Sequence, residues 1–161
     1  MVEPVHPIPV EQQPLQQYEE LRETFPFSWP LLEWLPYLKR ILAVWGGGVL
    51  LISPLLWGSF AGDWVHFALG SLLAANALLN LLLLHLYLGW AYVRRRLAQV
   101  RIPYEESGWY DGGMYAKSEA EVAQHRLIVS YQIEPILQRL RRSFWWVLGL
   151  SGLLALGWLL G

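Results

Sequence analysis

The chain has no cysteine and little charge, with Asp, Glu, Lys and Arg making up only 16% of its residues. An ordinary soluble domain carries about 25%. Without cysteine there is neither a disulfide-stapled secreted framework nor a thiolate-ligated metal centre, and the redox compartment is left open. Twelve basic and thirteen acidic residues give a net charge of −1. That excludes the strongly positive face that nucleic-acid binding requires. The opening residues MVEPVHPIPVEQQP are acidic and proline-rich. They lack the basic start and apolar centre of a signal peptide and the Arg/Ser bias of a transit peptide. Membrane entry is therefore expected through an internal apolar segment. The phosphate-loop, nucleophile-elbow and H-E-x-x-H patterns are also missing. The expectation is a protein that is not an enzyme, has no metal site, and takes membrane lipids and other membrane proteins as partners.

Hydrophobic residues make up 55% of the chain, and ten tryptophans are among them. Residues 41–62, 64–93 and 143–161 contain no Asp, Glu, Lys or Arg. As helices these stretches would be roughly 33, 45 and 28 Å long, against a hydrocarbon core about 30 Å thick. The fold expected is all-α: a three-span helical membrane protein. Residues 1–40 form an extended and interfacial N-terminal segment, broken by prolines but with a short amphipathic helix over 15–24. Residues 41–93 form a transmembrane hairpin. Residues 94–142 form a polar loop that begins turn-rich and continues as an amphipathic helix over 118–140. Ser118 and Glu121 make a capping box at the start of that helix, and Pro135 should kink or divide it. Residues 143–161 form the third span.

The basic residues set the sidedness. Lys39 and Arg40 precede the first span, Arg94, Arg95 and Arg96 follow the second, and Arg139, Arg141 and Arg142 precede the third. All fall on one side if the N-terminus is cytoplasmic or stromal and the C-terminus lies across the membrane, leaving only Asp63 charged on the far side. Trp29, Trp34, Trp90, Trp145 and Trp146 then form an inner aromatic belt, and Trp57, Trp64 and Trp158 an outer one.

Two stretches carry a resemblance: EQQPLQQYEELRETFPFSWP at 11–30 and IPYEESGWYDGGMYAKSEAEVAQHRLIVSYQIEPILQRL at 102–140. With the three spans in order, they resemble the small membrane proteins of cyanobacteria and plastids described as conserved in the green lineage and diatoms. Gly113-Met114-Tyr115 departs from the expected pattern, which has a Gln- or Trp-bearing turn there. The resemblance implies a thylakoid or related membrane and a photosynthetic context. It supplies no catalytic residues.

Several residues have chemistry to offer. The turn of Pro103, Tyr104, Glu105, Glu106, Ser107, Gly108, Trp109, Tyr110, Asp111 and Gly112 places aromatics and acids between rigid turn residues, which suits partner docking. Its carboxylates are also hard-cation ligands, or simple counter-charges to Arg94–Arg96 and Arg101. Glu121 and His125 share a helix face at a spacing of four. They form an iron or zinc pair, a local hydrogen bond, or simply a solvated face. His66 and His85 lie in the second apolar stretch, about 28 Å apart along a helix. Each is a separate candidate axial ligand for a tetrapyrrole such as haem or chlorophyll, or an interhelical hydrogen-bond donor. Asn76 and Asn80 share a face for helix packing beside Gly70, Ala74 and Ala77. Gly58 and Gly62, like Ser151 and Ala155, have the small-xxx-small spacing of close helix contact. The function expected is an auxiliary or assembly protein docking on a photosynthetic membrane complex. The alternative is a pigment-, haem- or iron-binding membrane protein.

On this reading the protein sediments with membranes from lysed cells and is released by detergent. Recovery in a high-speed supernatant without detergent would contradict it.

Overall fold

The computed structural model describes residues 8–60, 62–105 and 112–160. The chain divides into two compact units. One contains residues up to Ser28 together with Leu88–Leu137; the other contains Trp29–Tyr87 and Gln138–Gly161. Helices account for nearly all the regular structure: α1 (Pro14–Glu23), α2 (Trp34–Leu56), α3 (Trp64–Ala98), α4 (Glu119–Ile128) and α5 (Glu134–Leu160). Short 3₁₀ turns cover Val10–Gln12, Trp29–Leu31 and Trp57–Phe60.

Three helices are long and apolar enough to cross a membrane: Trp34–Phe60, Trp64–Ala98 and Glu119–Leu160. Each is longer than its uncharged stretch, because the helical hydrogen-bond ladder continues through the polar flanks. Pro36 is tolerated in the first turn of α2, where a backbone N–H has no partner within the helix. Before Pro135 the chain takes a wide π turn over Val129–Ile133 and then continues as α5. Proline lacks an N–H and its ring crowds the carbonyl four residues earlier, and widening the turn relieves that clash. Pro135 therefore perturbs the helix without ending it.

The turn-rich piece is more ordered than its sequence indicates. Arg101–Glu105 (β1) and Gly112–Ala116 (β2) pair antiparallel, with Ile102 opposite Tyr115 and Pro103 opposite Met114. A two-stranded sheet has only edge strands, so Pro103 interrupts no central ladder. Ile102 is buried, and the Lys117 N–H donates to the Val100 carbonyl at 3.0 Å, extending the pairing.

In the unit containing the hairpin, Trp90 is the centre of the packing. It is completely buried. Its indole N–H donates to the Phe27 carbonyl at 3.1 Å, and its ring meets Tyr18 edge to face at 6.1 Å. The Tyr18 hydroxyl hydrogen-bonds the Gln132 side chain. Gly89 is required beside it, because a Cβ there would come within 2.4 Å of the Phe27 ring. Trp90 thus belongs to the core. The expectation that it joins an aromatic belt is corrected, because its N–H is used internally rather than at the bilayer surface.

In the other unit, α2, α3 and α5 meet through a few specific contacts. The Tyr37 hydroxyl donates to Ser143 Oγ at 2.9 Å. Trp45 Nε1 donates to Asn76 Oδ1 at 2.8 Å, and Gly48 lets the backbone approach Ala75, its Cβ position lying 3.5 Å from the Ala75 methyl. Trp158 packs against Gly70 and meets Phe60 edge to face at 5.3 Å. Arg139 donates to the carbonyls of Pro30 and Leu32, and its guanidinium lies 5.5 Å from the centre of the Tyr37 ring. It thereby satisfies carbonyls just ahead of α2.

Arg139→Ala leaves those two carbonyls without their charged donor. It should cost about 1.5–3 kcal/mol, the range for hydrogen bonds to charged groups. Arg95→Ala, at an exposed position, should stay within about 0.5 kcal/mol of the parent. Denaturant unfolding in detergent micelles, followed by tryptophan fluorescence, compares the two.

Candidate functional site

The hairpin occupies the stretch expected to dock a partner. Pro103, Tyr104, Glu105 and Gly112 lie in its paired strands. Glu106, Ser107, Gly108, Trp109, Tyr110 and Asp111 lie outside the described residues. What the structure adds is how this hairpin is held. Lys117, directly after β2, is buried. Its ammonium donates to the Leu97 carbonyl at 2.8 Å and the Arg96 carbonyl at 3.2 Å. These are carbonyls of the last turn of α3, which lack helical partners and carry the negative end of the helix dipole. Arg96 in turn donates to the Gln12 carbonyl at 2.9 Å and the Pro103 carbonyl at 3.5 Å. The two cations thus join the end of α3 to β1, β2 and the N-terminal segment.

Ser118 caps α4, and the capping box forms. The Glu121 carboxylate accepts from the Ser118 N–H at 2.8 Å, and Ser118 Oγ accepts from the Glu121 N–H at 3.3 Å. The same carboxylate accepts from the Tyr115 hydroxyl at 3.2 Å. Partial burial, and secondarily the Glu121 charge, pushes the Tyr115 phenol above its ordinary value. One turn further on, His125 is buried, and among the described residues its Nδ1 has no hydrogen-bond partner. Among the described residues no group of three or more His, Cys, Asp or Glu side chains is placed to hold a metal. Glu121 is largely committed to its capping and tyrosine bonds.

Burial holds Lys117 at about 8, below an ordinary lysine; Glu121 opposes the shift and Arg96 reinforces it. Because the folded value lies below the unfolded one, the unfolded chain binds more protons between these two values. Stability contributed by this site therefore rises with pH from about 8 towards about 10.

The intramembrane candidates separate. Asp63 is the N-cap of α3: its carboxylate accepts from the His66 N–H at 3.1 Å and contacts His66 Nδ1 at 2.6 Å. The His66 backbone bond, followed by the ring bond, holds the Asp63 carboxyl below its ordinary range. His66 also meets Trp158 edge to face at 4.9 Å. His85 lies on the exposed face of α3. Asn76 takes the Trp45 bond, while Asn80 Oδ1 is buried without a hydrogen-bond partner in the described structure. Gly58 and Gly62 do not form a helix-packing face. Gly58 lies in the 3₁₀ turn, Gly62 has φ +97°, and a Cβ at either would meet open space. The small-xxx-small expectation is corrected there, because both glycines fall past the end of α2; at Gly62 the requirement is conformational.

The basic residues also divide. Arg94 pairs with Glu134 at 3.1 Å, and Arg96 and Arg139 hold backbone carbonyls. Lys39, Arg40, Arg95, Arg141 and Arg142 are exposed. Sequence reasoning missed the structural roles of Lys117, Asp63 and Trp90. For Asp63 the signal was available, since an isolated acid just ahead of an apolar helix is an N-cap pattern.

The family model described as "CGLD27-like: Conserved in the green lineage and diatoms 27" matches residues 6–146. The chain is 38% identical to the protein ycf36 of Cyanophora paradoxa over 85% of its own length and 87% of the relative's. It is 34% identical to ycf36 of Porphyra purpurea, over 85% of this chain and 84% of that one. To the chloroplastic Arabidopsis thaliana protein named Conserved in the Green Lineage and Diatoms 27 it is also 34% identical, covering 84% of this chain and 42% of the longer relative. No solved structure matches. The chain belongs to the family conserved in the green lineage and diatoms, whose members here are plastid proteins.

Lys117→Met should flatten the pH dependence of unfolding between about 8 and 10. Thermal scans of the parent and the variant in micelles across that range are the check. A parent that shows no rise in stability would refute the assignment of Lys117.

Proposed function

From that membership and from the surface left unburied, we propose a non-enzymatic integral thylakoid membrane protein that docks on a photosynthetic membrane complex or its assembly intermediates. The carrying observation is how little of the apolar helix surface this chain covers itself. Only 6% of the most apolar window of the first span is buried, and none of that of the third. Leu50, Leu51, Leu55, Leu153 and Leu159 stand exposed along them. Lipid covers such faces at no cost, and a partner's helices pack there through van der Waals contact and the few polar groups available. Outside the apolar stretches, Met114, Leu127 and Tyr131 are also exposed, and exposed apolar side chains near a polar surface are typical of a contact site. In this reading the hairpin and α4 make the polar contact and the spans make the apolar one. The same reading puts the N-terminus in the cytoplasm or stroma and the C-terminus in the lumen, an orientation that the one-sided basic residues support.

A second reading, a pigment-, haem- or iron-binding membrane protein, is supported by the Asp63–His66 pair. A carboxylate bonded to one ring nitrogen is how a ligating histidine is commonly oriented. A visible spectrum and metal analysis of the purified protein separate the two readings.

Affinity purification of a tagged chain in mild detergent should recover subunits of a photosynthetic complex. Met114→Ser with Tyr131→Ser should reduce that recovery several-fold without altering the amount of the tagged chain in membranes. A protein recovered alone under every growth condition overturns the proposal.

A further inference from the structure

At the start of the third apolar stretch, Arg141, Arg142, Trp145 and Trp146 line a surface pocket of about 250 Å³. The spacing explains it. Arg141 and Trp145, and Arg142 and Trp146, are four residues apart, and Arg142 and Trp145 are three apart, so all four side chains are neighbours on α5. All four are exposed, Trp145 by 62% and Trp146 by 80%. Among the described residues no carboxylate forms an ion pair with either arginine, unlike Arg94 with its Glu134. Two uncovered indoles are costly in water, and beside two guanidiniums that no described carboxylate pairs they suit the lipid headgroup region.

Depth supports this. The Tyr37–Ser143 bond fixes the start of α2 beside this part of α5. Lys39 and Arg40 follow Tyr37, and Arg141 and Arg142 precede Ser143. At 1.5 Å per residue, all four cations lie within roughly 5 Å of that bond along the helix axes. The nearest acids in sequence are Glu33, ahead of Lys39, and Glu134, ahead of Arg141 and paired with Arg94. The band is therefore strongly cationic, and it ends where the uncharged stretches begin.

We propose that the pocket of Arg141, Arg142, Trp145 and Trp146 is a binding site for the headgroup of an anionic phospholipid. The guanidiniums take the phosphate oxygens, where Arg has the fork geometry that a point-charge ammonium lacks. The indoles lie over the glycerol region, with their rings towards the acyl chains and their N–H groups towards the headgroup. The uncharged run from Ser143 lies alongside the lipid tails. The site rests on the membrane placement of α5 and is independent of any protein partner, so it can fail while the docking proposal stands, and the reverse.

The test uses the purified full chain in neutral detergent micelles, titrated with phosphatidylglycerol or with phosphatidylcholine of the same acyl chains. Bound lipid is counted by native mass spectrometry. Phosphatidylglycerol should bind at least tenfold more tightly. Arg141→Gln with Arg142→Gln should weaken it about thirtyfold, the sum of two interfacial charges. Trp146→Leu should weaken it several-fold. Arg95→Gln, an exposed cation outside the pocket, should leave it unchanged. Arg141→Lys with Arg142→Lys keeps the charge and should retain an intermediate affinity, which also guards against misreading a folding defect. Equal binding of the two lipids, or an Arg95→Gln loss as large as that of the double variant, overturns the proposal. So does displacement by millimolar inorganic phosphate, which would mark a free-anion site instead.

Discussion

Hydrocarbon offers no hydrogen-bond partner, so a backbone passing through it must satisfy its own N–H and C=O groups. The form of this chain follows from that requirement. Its apolar stretches are helical for most of their length, in Trp34–Phe60, Trp64–Ala98 and Glu119–Leu160, and the departures from α geometry cluster where the chain nears water. Pro54 falls three residues before α2 gives way to a 3₁₀ turn. Gly62 takes its positive φ directly before the Asp63 cap. The π turn before Pro135 lies ahead of the uncharged run that starts at Ser143. The same prolines and glycines within an exposed soluble helix would cost several kcal/mol, on the order of 3 for a single proline.

At the polar boundary the problem becomes one of loose carbonyls, and cations solve it. Lys117 takes the carbonyls of Arg96 and Leu97 at the end of α3. Arg96 takes those of Gln12 and Pro103, and Arg139 those of Pro30 and Leu32. All but the Arg96–Pro103 bond join segments at least twenty residues apart, so these cations act as tertiary cross-links as well as topological markers. Other cations, among them Lys39, Arg40, Arg95, Arg141 and Arg142, are exposed and can meet solvent or headgroups. A single count of positive residues conceals this division of labour.

Polar groups inside the spans serve packing in a similarly sparing way. One tryptophan–asparagine bond and one tyrosine–serine bond link helices, and one glycine permits close approach to Ala75. Most apolar side chains face outward. The apolar surface of the spans is therefore left for a lipid environment to cover. The family relatives are plastid proteins, a setting rich in membrane complexes.

Much of this was legible in sequence because it depends on local quantities. Runs without charge fix the spans, Ser118 and Glu121 fix the start of α4, and the two long motifs fix the family. Pairing over distance was not legible. The β-hairpin escaped notice because β1 and β2 are short and hold glycine and proline, so their alternation is weak, and only the cross-strand register makes them strands. Trp90 has the composition of a belt residue and becomes core because Tyr18, Phe27 and Gly89 surround it. Arg139 and Arg141 are two residues apart with the same chemistry, yet one is held by carbonyls and the other is exposed, because helical geometry turns them some 200° apart. The sequence by itself thus determined which segments enter lipid, since transfer free energy adds residue by residue. Only the tertiary structure decided which charges are spent on the fold and which remain on the surface, since that depends on which carbonyls come within reach.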